Sequence, residues 1–128
     1  MHIRQTFTII SILSAFLFTA CSTKNNPTGS SANGDFEVTV GNGTKPEYSW
    51  SVGKAFSVSV VRTADPTVIV WGIATPGQSN IASPTLHGVT PQGALPSVQT
   101  EITLSSGIEY RVSVTLLDGK TGYTDFKP

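Results

Sequence analysis

Apolar and polar positions divide the chain into three stretches with different patterns. Phe7 to Phe18 reads Phe-Thr-Ile-Ile-Ser-Ile-Leu-Ser-Ala-Phe-Leu-Phe, an almost unbroken apolar run. It is shorter than the about 20 apolar residues needed to cross a bilayer. Ser22 to Gly34 follows, rich in Ser, Thr, Asn, Pro and Gly and without a core-forming side chain. A segment with so little to bury and so much backbone freedom predicts a disordered tether. From Asp35 onward the apolar positions recur with period two, the signature of half-buried β-strands.

Phe36, Val38 and Val40 alternate with Glu37 and Thr39. After Gly41-Asn42-Gly43 and Lys45-Pro46, the alternation resumes with Tyr48, Trp50 and Val52, then with Phe56, Val58 and Val60. Asp65-Pro66 predicts a turn. Thr67 to Thr75 is apolar on both faces, as expected of a central strand covered on both sides, and Pro76-Gly77 ends it. In Gln78 to Ser97 the prolines Pro84, Pro91 and Pro96 admit only short edge strands, Thr85 to Val89 being the candidate. Val98 to Leu104 alternates again with Ile102 and Leu104 on one face, and Ile108, Tyr110, Val112, Val114 and Leu116 form the longest inward row. Asp118-Gly119 predicts a two-residue type I′ hairpin turn. The return strand is Lys120 to Phe126, in which Tyr123 and Phe126 share a face only if a bulge intervenes. No helical period follows the first apolar run. Six or seven short strands at regular spacing predict an all-β chain folded as a single antiparallel β-sandwich.

The first stretch has its own chemistry. Met1-His2-Ile3-Arg4-Gln5 is polar and weakly cationic, and with Phe7 to Phe18 it has the layout of an export signal. Leu17-Phe18-Thr19-Ala20-Cys21 closes it, and Cys21 is the only cysteine. Phe18 is too bulky for ordinary A-x-A cleavage. A large apolar residue three places before a cysteine, with a small residue such as Ala20 directly before it, resembles the lipobox of bacterial lipoprotein precursors. Leu is usual where Phe18 stands, and Leu17 lies one place early. The resemblance implies cleavage before Cys21, a diacylglycerol on its sulfur, and a third acyl chain, palmitate in kind, on its amino group. Two or three chains give stable anchoring, since each buried methylene contributes about 0.8 kcal/mol. Ser22, not Asp, follows the cysteine, which favours the outer membrane in a Gram-negative host.

A second resemblance lies near the other end. In Leu104-Ser105-Ser106-Gly107-Ile108-Glu109-Tyr110-Arg111-Val112, a Leu precedes a Gly-containing turn and a Tyr opens the next strand six residues later. This resembles the E–F corner of fibronectin type III domains, where the Tyr hydroxyl bonds back to nearby backbone. Asp118-Gly119 falls at that family's F–G hairpin. The resemblance implies a fibronectin type III-like or immunoglobulin-like sandwich over Asp35 to Pro128. Two features depart from it: Phe56 stands on the expected second strand, and Trp71 on the expected third, where the family commonly has Trp and then Tyr.

The resulting organisation is a signal peptide over 1–20, a lipidated cysteine and linker over 21–34, and the sandwich over 35–128. Removing the signal leaves 108 residues with seven basic and eight acidic side chains. That balance gives no electrostatic footprint for nucleic acid. Acylation of Cys21 leaves no thiol for disulfides, zinc or nucleophilic catalysis. His87 is the one histidine of that part, no Gly-x-Ser-x-Gly elbow exists, and the acids are scattered, so no enzyme, metal site or cofactor beyond the covalent lipid is expected. Tyr48 and Trp50 are candidates for an exposed sugar-stacking platform, and Leu86 and His87 for a recognition surface on the long loop. The expected role is a non-catalytic envelope module that binds a protein or glycan. A carbohydrate-binding module and an accessory subunit of an envelope enzyme are the competing readings.

Overall fold

The computed structural model describes residues 30, 31 and 33–128. Leu17, Phe18, Thr19, Ala20 and Cys21 therefore lie outside the described residues. In chain order the strands are β1 (Ser30–Ser31), β2 (Asn33–Gly34), β3 (Val38–Val40), β4 (Glu47–Ser49), β5 (Ser57–Arg62), β6 (Asp65–Ala74), β7 (Thr85–Leu86), β8 (Leu95–Gln99), β9 (Tyr110–Thr115) and β10 (Thr121–Phe126). No helix occurs among the described residues. One sheet has the order β1-β3-β4-β7 and the other β2-β10-β9-β5-β6-β8, with neighbours antiparallel. The two sheets pack as a β-sandwich.

The alternation seen in the sequence explains the core. Val38, Val40 and Tyr48 point inward from one sheet; Val58, Val60, Trp71, Ile73, Tyr110, Val112, Val114 and Phe126 point inward from the other. Phe36, Trp50, Ala55, Ile81 and Leu104 close the ends. The serines and threonines between them face outward, so strict pairing is enforced by burial: a one-residue slip would expose every valine.

Several expectations are corrected. Part of the predicted tether is paired: Ser30 and Ser31 lie opposite Thr39 and Val38, and Asn33 and Gly34 opposite Tyr123 and Gly122. Gly34 has φ of 81°, and any side chain there would collide with the Thr121 carbonyl. Asp35 then binds Thr121 twice, its N–H donating to the Thr121 carbonyl (2.8 Å) and its carboxylate accepting from the Thr121 N–H (2.9 Å). Gly34, which composition marks as linker, and Asp35, where the alternation begins, thus serve as a clasp.

The turn expected at Asp65-Pro66 lies earlier, at Thr63-Ala64, since Arg62 pairs with Asp65. The strand that follows is not covered throughout. Val68 and Ile69 are exposed, and continuous burial is confined to Val70, Trp71, Gly72 and Ile73. Opposite Val60 and Val61 the register slips so that Val70 is an extra residue, and a bulge of this kind re-aims neighbouring side chains. Val70 and Trp71 are both buried as a result. The strand expected at Val98 to Leu104 instead spans Leu95–Gln99 as a sheet edge, with Pro96 inside it. Ile102 is exposed beyond its end, as is Ile108 before β9, while Leu116 is only partly buried.

The last hairpin also differs from expectation. Leu116 pairs with Lys120, the Gly119 N–H donates to the Leu116 carbonyl (3.0 Å), and Gly119 alone has positive φ, at 92°. This is a three-residue loop closed by a left-handed glycine, which sets a different register from a two-residue turn. With it, β10 needs no bulge. Gly122, Thr124 and Phe126 face the core, and Tyr123 and Asp125 face out. Gly122 lies under Phe36, where a Cβ would stand 2.5 Å from the Phe36 carbonyl oxygen and 2.6 Å from its ring. Gly122→Ala is expected to destabilise the domain by about 1–3 kcal/mol. Urea unfolding should show a lower midpoint at unchanged slope.

Candidate functional site

The most connected group of polar side chains lies at the end of the sandwich where β4 begins and β10 ends. Glu101 is its hub. Its carboxylate accepts two bonds from Arg62, at 2.7 Å from Nη2 and 3.1 Å from Nε, and a third from the Tyr110 hydroxyl at 3.2 Å. The Glu101 backbone is held as well: its N–H donates to the Val70 carbonyl (2.8 Å), and its carbonyl accepts from His87 Nε2 (2.7 Å). One residue thereby ties β5, β6, β9 and the segment after β7 together. Hydrogen bonding to Arg62 is the main reason the Glu101 carboxyl is held below the usual carboxylate range, and the same contact raises Arg62.

His87 is buried in the core, not on a loop surface. A carbonyl can only accept, so Nε2 carries the proton. Nδ1 then accepts from the Tyr48 hydroxyl at 2.8 Å. Both ring nitrogens are satisfied in the neutral form, and no ring lone pair is left for a metal. The ring packs against Trp71 with centroids 4.6 Å apart. Burial lowers the His87 pKa below the ordinary 6.5, and burial likewise raises the Tyr48 phenol.

Leu104, outside any strand, and Tyr110, the first residue of β9, flank a short turn. Leu104 is buried and its N–H donates to the Thr44 carbonyl (2.9 Å); the Tyr110 hydroxyl accepts from the Ser105 N–H (2.9 Å) while its ring stacks near Phe126. Tyr110→Phe is expected to cost about 1–2 kcal/mol, because the Ser105 N–H and the Glu101 carboxylate each lose a partner. Thermal unfolding at neutral pH would measure it, and an unchanged midpoint would remove the hydroxyl from the stability of this corner.

Tyr48 and Trp50 do not form a platform. Tyr48 is fully buried, and Trp50 is 7% exposed with its Nε1–H bound to the Gly53 carbonyl (2.6 Å). Alternation had marked both as inward-facing on a half-buried sheet, and the core took them. Near Trp50 a shallow polar depression of roughly 300 Å³ is lined by Glu37, Thr39, Ser49 and Ser51. A second, of roughly 270 Å³, lies beside the hub and is lined by Arg62, Asp65, Val68, Val70, Thr100 and Glu101. On the outer face of the larger sheet, Arg111 binds Asp125 (2.6 and 3.1 Å) and lies 4.5 Å from the centre of the Tyr123 ring. Leu86 is the one residue of the expected recognition surface that is exposed.

Glu101 and Arg62 escaped the sequence reading. They stand 39 positions apart, and only the strand register brings them together. The one local signal was an acid within an otherwise apolar and hydroxylic segment. Compared with models of known protein families, with curated proteins and with solved structures, the chain has no match.

Proposed function

We propose that the chain is a lipid-anchored lipoprotein of the bacterial cell envelope. Its sandwich is a non-catalytic module for protein interaction or structural support. The observation that carries this reading is Ala20-Cys21 directly behind the apolar run Phe7 to Phe18. The membrane is the first partner, through acyl chains on Cys21, with the outer membrane favoured in a Gram-negative host. The non-catalytic reading is supported by the polar groups themselves. Glu101, Arg62, Tyr110, His87 and Tyr48 spend their bonding capacity on one another and on backbone, as structural networks do.

The fibronectin type III-like resemblance is supported by strand order. β3-β4-β7 and β10-β9-β5-β6 follow the A-B-E and G-F-C-C′ arrangement of such sandwiches. Tyr110 opens the sixth strand of that scheme with the backward bond of the tyrosine corner. In the same scheme β5 is the third strand, so Trp71 falls on the strand after it. Trp50, one place beyond β4, then stands close to where the family commonly has its core Trp. The carbohydrate-module alternative loses its main support with Tyr48 and Trp50 buried, and Arg111 covers the Tyr123 ring.

Mass spectrometry of the mature protein is expected to find an N-terminal Cys21 bearing two or three acyl chains, and Cys21→Ser to abolish membrane fractionation. An unmodified terminus at another residue would overturn the anchor. Crosslinking in cells through the 78–97 segment would then identify what the module holds.

A further inference from the structure

Strand register fixes which end of the sandwich the chain enters. Ser30 lies opposite Thr39, Thr39 opposite Ser49, and two steps further along the same sheet Glu47 lies opposite Leu86. Followed backward from Gly34 to Ser30, the chain therefore runs toward the end that holds Leu86, His87, Tyr110 and Arg62. Ser30, the described residue nearest Cys21 in the chain, is thus directed toward that end.

Six of the nine exposed large apolar side chains among the described residues lie at this end, and Val52, Leu95 and Leu117 lie toward the other. Leu86 is 43% exposed, Val89 49%, Ile102 45% and Val68 52%, and Ile69 and Ile108 are exposed nearby. These positions adjoin. The Val89 N–H closes a turn onto the Leu86 carbonyl (3.2 Å). Ile102 packs on Gly88 within that turn so closely that a Cβ there would lie 2.9 Å from its side chain. Val68 shares a depression with Thr100 and Glu101, next to Ile102 in the chain. Contiguous exposed apolar residues mark an interaction surface.

We infer that this end of the sandwich rests on the bilayer, with Leu86, Val89 and Ile102 entering the boundary between headgroups and acyl chains. The inference rests on the lipid anchor at Cys21. Nine residue steps from Cys21 to Ser30 reach at most about 30 Å. Turning the opposite end to the membrane would use about 20 Å of that in running back along six-residue strands, leaving little for the loops beyond. The short leash and the apolar end thus select the same orientation. Charge does not drive it: Lys45, Arg62 and Lys127 at this end are matched by Glu47, Asp65, Glu101 and Glu109. Contact should therefore be insensitive to salt and should not require anionic lipid.

The test uses the full acylated protein in phosphatidylcholine vesicles. Val89→Cys and Leu117→Cys, both exposed and at opposite ends, are labelled with the same environment-sensitive fluorophore, and spin-labelled lipid is the quencher. The label at 89 is expected to be quenched at least about twofold more strongly than that at 117, as insertion of roughly 5–10 Å requires, equally in low and high salt. Adding Leu86→Ser and Ile102→Ser should abolish the difference. Failure to sediment with vesicles would overturn the anchor and the inference with it. Sedimentation with equal quenching at 89 and 117 would leave the anchor standing and overturn the orientation alone.

Discussion

Trp71→Ala should destabilise the domain by about 3–5 kcal/mol. Trp71 is the largest fully buried side chain. It stands on the strand where a bulge has turned two successive residues inward, so no neighbour can swing in to refill its place without undoing the register to β5. It is also the surface against which His87 lies, 4.6 Å away, and Tyr48 is tilted against it at 6.2 Å. Equilibrium denaturation would show the loss, and wild-type stability would mean the core does not depend on this ring. Trp71→Phe makes the instructive contrast. The indole Nε1–H is buried with no hydrogen-bond partner among the described residues, a condition that itself costs about 1–3 kcal/mol. Phenylalanine removes that N–H while keeping a ring on His87, and its net cost should be well below that of alanine.

The second large effect concerns His87. His87→Ala strands the Tyr48 hydroxyl and the Glu101 carbonyl in the core and leaves a cavity. Two unsatisfied groups at about 1–3 kcal/mol each, partly relieved by relaxation, give an expected loss of about 3–5 kcal/mol. The wild type should show the same dependence through pH. Burial lowers the His87 pKa in the fold below its ordinary 6.5, so the unfolded chain takes up the proton first. Stability is then complete above about pH 6.5, falls as pH drops from there toward the folded-state value, and levels below it. A second loss follows at lower pH. Glu101 is held below its ordinary 4.5, so its contribution is present above about 4.5 and disappears as acid protonates it. Unfolding midpoints between pH 8 and 2 should fall in these two stages, and His87→Ala should remove the first stage alone. A single-stage acid transition in the wild type would remove His87 from the pH response.

How far the sequence revealed this molecule varied with the kind of information required. Period-two patterning was enough for the class of fold, because in a half-buried strand the side chains themselves record which face is covered. The bond from the Ser105 N–H to the Tyr110 hydroxyl is a local feature, since the two residues stand five positions apart. Boundaries and turns were not legible. Gly34 looks like a linker residue until Gly122 is placed opposite it, and a Leu-Asp-Gly loop cannot be told from a two-residue Asp-Gly turn without knowing that Leu116 faces Lys120. Exposure failed where alternation met a sheet edge or a bulge, as at Val68, Ile69 and Ile102. The candidate site was least legible. His87 read as a lone surface histidine because nothing local announces that Tyr48, Trp71 and the Glu101 carbonyl surround it. Arg62 and Glu101 are ordinary charges until two hairpins bring them within 3 Å.

The clasp at the N-terminus has a mechanical side. β1 and β2 are each held by only two residue pairs, one set on either sheet. Backbone bonds in antiparallel pairs lie across the strands. A pull on the N-terminal side along the direction of β1 and β2 therefore loads these bonds side by side, in shear. Were the pull to come at a right angle, the same bonds would open one after another like a zip. The short strands act as a shear pin at the N-terminal edge of the sandwich: the joint holds under tension along the strands and gives way to a sideways peel.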